Sequence, residues 1–182
     1  MTLPLSSGTW IADPAHTTVG FSVRHLAISR IRGRFSEFEA SLVVGESLAD
    51  TSLNATIEMA SLDTGDPNRD AHVKAGSDLF DADTHPQMVF KADQIVDTGS
   101  GYEAVGSLTV RGVEKPLTLA AEFNGVAENP FSGATHAGFK ASGSIDRTEF
   151  GIDFQVPLSS GGVMLSNQID IEIDAQLVLQ TD

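Results

Sequence analysis

The side chains that could do chemistry in this sequence are few and scattered. There is no cysteine, which excludes a disulfide, a thiolate nucleophile and a thiolate metal ligand. The histidines show neither the HxH nor the HExxH spacing of a metal site, so we predict that no metal is bound. The sequence contains five of them: His16, His25, His72, His85 and His136.

Two short charged motifs contain residue types that can transfer protons. Residues 69–72 read Arg-Asp-Ala-His, and residues 146–149 read Asp-Arg-Thr-Glu. We favour a structural interpretation of both: a buried pair of Arg69 with a carboxylate that pins a short helix, and an ion pair at a strand end. The sequence has no GxSxG motif and no recognisable nucleophile–base pairing. We therefore predict no catalytic residue and a protein that is not an enzyme.

The elements that must position these residues are recognisable by alternation of apolar and polar side chains. Alternation is clearest at residues 169–179 and at residues 101–124, where two alternating runs flank a turn at Gly112. The period changes at residues 67–76, where Asp66 can cap a short helix. Similar alternating rows fill the rest of the chain, and they predict an all-β fold, an extended antiparallel β-barrel of about eight strands.

Alternation also predicts which side chains face the barrel interior. Leu108, Phe123, Ile171 and Ile173 should point inward, and Thr109, Glu122, Asp170 and Glu172 should face water. Many residues on the inner face are small, which leaves room inside. An interior of this size is either filled by side chains or holds one small ligand. Because alternation looks the same in both cases, the pattern leaves a hollow and a solid barrel open.

Composition limits the possible partners. The chain of 182 residues suits a single domain over residues 1–182, and its net charge is −14, from 25 acidic and 11 basic residues. That charge disfavours nucleic acid and anionic membrane surfaces. The first eight residues lack the features of a signal peptide and no transmembrane run follows, so we expect a cytoplasmic protein without stable membrane insertion. The oligomeric state is open, with a homodimer as one option.

Several segments together resemble the YceI-like family, in order and at family spacing from Trp10 to about Leu179. They are residues 10–16 (WIADPAH), 21–26 (FSVRHL), 33–35 (GRF), 68–73 (NRDAHV), 80–86 (FDADTHP), 106–116 (GSLTVRGVEKP) and 145–152 (IDRTEFGI). The resemblance implies a lipocalin-like barrel that holds a polyisoprenoid, such as a prenyl lipid or an isoprenoid quinone, and a link with stress responses. Many members are exported, a feature that this N-terminus does not share. The family has no agreed catalytic residues.

Strand parity and this resemblance together predict a carrier for a long apolar isoprenoid lipid. Two alternatives stay open: an enzyme acting on an isoprenoid or other lipid in the barrel, and a solid structural or interaction barrel. We expect no cofactor other than the bound lipid. The residues expected to line the ligand site are Phe21, Val23, Leu26, Phe38, Leu42, Ile57, Phe80, Phe90, Leu108, Phe123, Phe139, Ala141, Gly143, Ile171 and Ile173. The candidates to contact a polar headgroup are Arg24, His25, Arg69, His72 and Arg147.

Overall fold

The structure is a computed structural model that describes residues 2–159 and 161–181. Within these residues the chain forms eleven strands, three short 3₁₀ turns and one α-helix, α1 (Pro67–Ala75). The strands are β1 (Gly8–Ala12), β2 (Thr18–His25), β3 (Ser29–Phe35), β4 (Phe38–Val44), β5 (Ser52–Glu58), β6 (Leu62–Asp63), β7 (Gln87–Asp97), β8 (Tyr102–Val110), β9 (Val113–Glu128), β10 (Thr135–Asp146) and β11 (Leu165–Leu179).

The strands form one antiparallel sheet that closes on itself. Its order is β1-β4-β5-β7-β8-β9-β10-β11-β2-β3-β6, and an additional pairing of β1 with β11 closes eight of the strands into a barrel. Strand β11 pairs with β1 near its C-terminal end and with β2 along the rest of the same edge. Strands β2, β3 and β6 therefore extend the wall beyond the closed ring. The predicted antiparallel barrel is confirmed, with more strands than expected.

Local sequence signals explain several of these elements. The Asp66 carboxylate caps α1 by accepting hydrogen bonds from the amides of Asn68 (3.0 Å) and Arg69 (3.1 Å), and the helix ends one residue before the predicted limit. Arg111 and Gly112 both adopt positive φ, 53° and 73°, in the two-residue turn between β8 and β9. The pairing of β7 with β8 shifts register between Ala92 and Gln94, where the alternation changes face.

The barrel has two ends that differ in how they are built. At the helix end, α1 is followed by a segment that contacts the β8–β9 turn and the chain after β10. There Arg111 Nη2 donates to the carbonyl of Ser77 (2.7 Å), and the amide of Phe154 donates to Asp78 (3.0 Å). At the far end, the chain that leads into β1 packs against the interior. Trp10 is only 1% exposed, and its Nε1 donates to the carbonyl of Ser6 (3.0 Å).

The predicted inner and outer faces agree with the structure in most places. Leu108 is buried, and Ile171 and Ile173 face the interior, whereas Glu122 and Glu172 are exposed. Thr109 and Asp170 are half-buried, and Asp170 forms an ion pair with Arg30 on the outer surface. In the part of the chain that the structure describes, no helix is long and apolar enough to span a bilayer.

Candidate ligand-binding cavity

A cavity of about 320 Å³ runs inside the barrel. It borders Tyr102 and Leu177 at the far end, and Val110 and Leu165 at the helix end. Strands rise about 3.4 Å per residue and tilt about 35–45° in barrels, so the stretch of β11 between Leu165 and Leu177 covers roughly 30 Å along the axis. A volume of this size over such a length describes a narrow tube.

The wall of the cavity is apolar, and every strand of the closed barrel contributes to it. In the described part of the chain, no aspartate, glutamate or histidine lines the cavity. Its few side chains with polar groups are Thr17, Thr64, Arg69, Tyr102 and Arg147. An apolar tube with so few polar groups suits a hydrocarbon chain better than a sugar, a nucleotide or a peptide.

The lining side chains differ in how far they are buried. Phe21, Ala141 and Ile171 are half-buried, and so are Ala40 of β4 and Met88 of β7. Other lining residues on the same strands are buried, among them Val23, Phe38, Phe90 and Leu177. Buried and half-buried side chains therefore alternate around the whole wall.

Most of the predicted lining residues border this cavity. Twelve of them do so: Phe21, Val23, Phe38, Leu42, Ile57, Phe80, Phe90, Leu108, Phe139, Ala141, Ile171 and Ile173. Alternation did not find the contributions of Val73 in α1 or Leu79 after it, since neither lies in a strand. Leu117 and Leu119 of β9 alternate as clearly as the predicted residues, and their parity could have identified them.

Three predicted lining residues lie outside the cavity wall. Leu26 sits in the turn between β2 and β3 with a φ of 54°, so alternation has already ended there. Phe123 packs on Phe139 with ring centroids 5.3 Å apart, beside a register shift between β9 and β10. At Gly143, an added Cβ would lie 2.8 Å from Leu119 Cδ2, because the leucine side chain fills the space in front of the glycine.

The headgroup candidates separate into two groups. Arg69 and Arg147 line the cavity, whereas Arg24, His25 and His72 do not. Arg24 is exposed on β2, and His25 is half-buried where that strand ends. His72 is exposed on α1, where its ring meets Phe154 edge-on at a centroid distance of 5.2 Å.

The predicted pairing of Arg69 with a carboxylate is wrong. Asp70, 9% exposed, accepts hydrogen bonds from the amide (3.0 Å) and Oγ1 (2.5 Å) of Thr64. Arg69 donates from Nε to Thr64 Oγ1 (2.7 Å) and from Nη2 to the Thr64 carbonyl (2.8 Å). Both charged side chains therefore fix α1 to the residue that follows β6, and Thr64 is the shared partner.

The predicted ion pair at residues 146–149 is not found among the described residues either. Asp146 accepts from the amide (2.9 Å) and Oγ1 (2.6 Å) of Thr148, which lowers the pKa of Asp146. The 3₁₀ turn Arg147–Phe150 directs the arginine elsewhere. Arg147 is only 3% exposed and donates from Nε to the Ser166 carbonyl (3.0 Å) and from Nη1 to the Ile152 carbonyl (2.6 Å).

Burial changes the electrostatics of Arg147. Desolvation lowers the pKa of its guanidinium below the ordinary value of an arginine, and the charges of Asp146 and Asp153 counteract only part of this shift. An arginine nevertheless stays protonated at neutral pH. Among the described residues, no cluster of three or more histidine, aspartate or glutamate side chains is placed to hold a metal ion. The chemistry available to the cavity is therefore apolar contact and hydrogen bonding by two arginines and by the hydroxyl groups of Thr17, Thr64 and Tyr102.

Known proteins are similar to this chain in sequence and in fold. The sequence profile of the YceI-like domain matches residues 10–177. A UPF0312 protein of Staphylococcus epidermidis is 34% identical over 165 residues, which cover 90% of this chain and 94% of that protein. The crystal structure of a Campylobacter jejuni YceI protein is similar with a TM-score of 0.72 and 31% identity, covering 93% of this chain and 96% of that one.

A more distant structure shares the fold alone. It is a polyisoprenoid binding domain from Saccharophagus degradans, with a TM-score of 0.62 and 14% identity, covering 96% of this chain and all of that one. The profile match extends over most of the barrel, from the buried Trp10 of β1 to Leu177 of β11. The chain therefore belongs to the YceI-like family.

Proposed function

We propose that this protein binds a long, linear isoprenoid lipid inside the barrel and acts as its carrier. The observation that carries the proposal is the narrow apolar cavity, which extends from Tyr102 at one end to Val110 and Leu165 at the other. A prenyl chain is apolar along its whole length and matches such a tube in shape. The polyisoprenoid binding domain of Saccharophagus degradans, which has a similar fold, supports the choice of ligand class.

The energetics of such binding favour a chain of several isoprene units. Each buried methylene-sized group contributes about 0.8 kcal/mol, so one five-carbon unit contributes roughly 4 kcal/mol before the costs of ordering the chain. A few units already approach the practical limit of about 18–21 kcal/mol for noncovalent binding. Affinity alone therefore does not select among long chains. We expect the closed ends of the cavity to determine the accepted length.

The cavity wall favours binding over catalysis. An enzyme acting on the lipid needs a group that moves a proton or attacks the substrate. In the described part of the chain, the titratable residues on the wall are Arg69, Tyr102 and Arg147. An arginine that stays protonated is a poor general base, and Tyr102 has no hydrogen-bonded base beside it among the described residues. A solid structural barrel is disfavoured because the interior is open. The cytoplasmic location and the link with stress responses stay predictions.

The proposal can be tested with two neighbouring alanines on β9. Ala121 lines the cavity, and Ala120 is exposed on the outer face. We expect Ala121→Phe to narrow the tube and weaken binding of a delipidated protein to a long prenyl lipid by at least about tenfold, at an overpacking cost of about 1–3 kcal/mol in stability. Ala120→Phe should bind like the parent protein, since its ring points outward.

Binding can be measured as a rise in melting temperature on adding lipid. A ligand that binds only the folded state stabilises by about 4 kcal/mol at a thousandfold excess over Kd. A short-chain alcohol should give no such rise at the same concentration. If no variant responds to any isoprenoid, or if Ala121→Phe binds as well as Ala120→Phe, the lipid is not held in this cavity.

A further inference from the structure

We propose that Arg147 binds an anionic oxygen headgroup, a phosphate or a carboxylate, of the lipid in the cavity. The headgroup then lies at the helix end and the hydrocarbon tail points toward the far end. This inference rests on the proposed function, because it requires an apolar chain in the tube. It adds the chemical class of the headgroup and the orientation of the ligand.

The hydrogen bonds of Arg147 leave one end of its guanidinium open. Nε and Nη1 donate to the carbonyls of Ser166 and Ile152, whereas Nη2 has no hydrogen-bond partner among the described residues. No fully enclosed side-chain nitrogen or oxygen in that part of the chain lacks a partner, so Nη2 must border open space. Since Arg147 lines the cavity and is 3% exposed, we infer that this space is the cavity. Two backbone bonds hold the group in place, with a donor left for a ligand.

In the part of the chain that the structure describes, the guanidinium of Arg147 forms no direct ion pair. Among the described residues, no carboxylate lies within 4 Å of its guanidinium, and no acidic side chain lines the cavity. The direction of its pKa shift shows that burial outweighs the attraction of Asp146 and Asp153. A buried cation is costly unless it is paired, and an anionic ligand group would supply the missing partner. The arrangement is unusual in a chain with a net charge of −14.

The polar groups of the cavity give the ligand a direction. Thr64, Arg69 and Arg147 lie at the helix end, and Arg69 adds a second positive charge there. At the far end the wall contains Leu3 and Ile95 with two uncharged polar side chains, Thr17 and Tyr102, and no charged one among the described residues. An anionic headgroup is stabilised near the arginines. At the opposite end it would lose its hydration and find no cation in return. The tail therefore occupies the apolar part of the tube.

The prediction can be tested with ligands that share one prenyl chain and differ in the headgroup. We expect the delipidated protein to bind the prenyl phosphate and the prenyl carboxylic acid about 10- to 100-fold more tightly than the neutral prenol, as charge-assisted hydrogen bonds would give. The prenyl amine should bind more weakly than the prenol. Inorganic phosphate without a chain should not compete at the same concentration.

Variants of Arg147 test whether this residue causes the preference for anionic headgroups. Arg147→Met should abolish the preference for the anionic headgroups while binding of the prenol changes little, and Arg147→Lys should restore part of it. Arg111→Met is a matched control, because Arg111 also binds two backbone carbonyls at the helix end, those of Ser77 and Gly151, but does not line the cavity. It should keep the full preference of the parent protein.

The outcomes separate this inference from the proposed function. If the parent protein binds phosphate, carboxylate, alcohol and amine equally well, the assignment of Arg147 is wrong while the lipid carrier stands. Competition by inorganic phosphate as strong as by the prenyl phosphate would also overturn it. If none of the prenyl compounds binds, the proposed function itself fails. Should Arg147→Met not fold, the headgroup series on the parent protein and Arg147→Lys still decide the matter.

Discussion

The two ends of the cavity are closed by different kinds of residue. At the far end the seal is apolar: Leu3 is buried against the cavity, and Trp10 is buried beside it. At the helix end, α1 is held by hydrogen bonds of Arg69 and Asp70 with Thr64, and Arg147 lies buried at the cavity wall. Packing therefore closes the far end, whereas the helix end combines the packing of Leu79 and Ile152 with these polar contacts.

This difference indicates which end opens more readily. Apolar packing of large side chains contributes strongly to the stability of the whole fold. The helix α1 contributes one buried residue, Asp70, and one partly buried apolar side chain, Val73, that packs against the core. Separating it from the barrel therefore exposes less apolar surface, in keeping with the lower local stability of ligand-gating elements. We infer that the lipid enters at the helix end with its tail first.

The largest loss of stability should come from removing a packed side chain at the far end. Trp10→Ala should lower the free energy of unfolding by about 3–5 kcal/mol, because it removes a large buried side chain. The next residue on β1, Ile11, is 41% exposed, and Ile11→Ala should cost less than about 1 kcal/mol. Chemical denaturation of both variants measures the difference. Equal losses would show that the far end is not a packed seal.

A smaller effect is expected at the helix end. Asp70→Ala removes the acceptor of the Thr64 amide and hydroxyl and should cost about 2–3 kcal/mol. His72→Ala, two residues along the same helix, should cost less than about 1 kcal/mol, because His72 is exposed and only its ring edge contacts Phe154. Thermal unfolding of the two variants separates these expectations. A helix end that depends on His72 more than on Asp70 would contradict the role given to Thr64.

The smallest effect on stability should come from the helix cap Asp66, and it should appear at acidic pH. The amide of Arg69, together with that of Asn68, lowers the pKa of the Asp66 carboxyl below 3.8. Its contribution to stability is therefore fully present above pH 3.8 and is lost as the pH falls through the lower pKa of the folded state. Asp66→Asn should match the parent at neutral pH, since asparagine caps helices equally well, and should lose less stability on acidification. If Asp66→Asn and the parent protein lose the same stability on acidification, the ionised Asp66 cap does not contribute to the pH dependence of stability.

Alternation predicted the barrel well because each strand buries one face. It could not predict whether the interior was hollow, since Phe90 and Ile171 follow the same pattern although Phe90 is buried and Ile171 is half-buried. It also failed where the backbone leaves the regular strand, as at Leu26, or where a neighbour fills the space, as Leu119 does in front of Gly143. Those features depend on contacts between distant strands.

Sequence neighbours misled the interpretation of the charged motifs. Arg69 stands next to Asp70, and Arg147 next to Asp146, so ion pairs were the simplest expectation. In the fold, Arg69 and Asp70 both form hydrogen bonds with Thr64 and not with each other. The 3₁₀ turn directs Arg147 toward backbone carbonyls, and Asp146 accepts hydrogen bonds from Thr148. Two of the headgroup candidates, Arg69 and Arg147, line the cavity. Their contact with a ligand stays a prediction.

The most direct test of the central claim is to extract the protein, purified without detergent from the organism that makes it, with organic solvent and to record a mass spectrum of the extract. We expect a series of ions that differ by whole isoprene units, in amounts close to one lipid per chain, and in lower amounts or with shorter chains in an extract of Ala121→Phe prepared in the same way. An extract without lipid, from a protein whose melting temperature responds to no isoprenoid, would contradict the account.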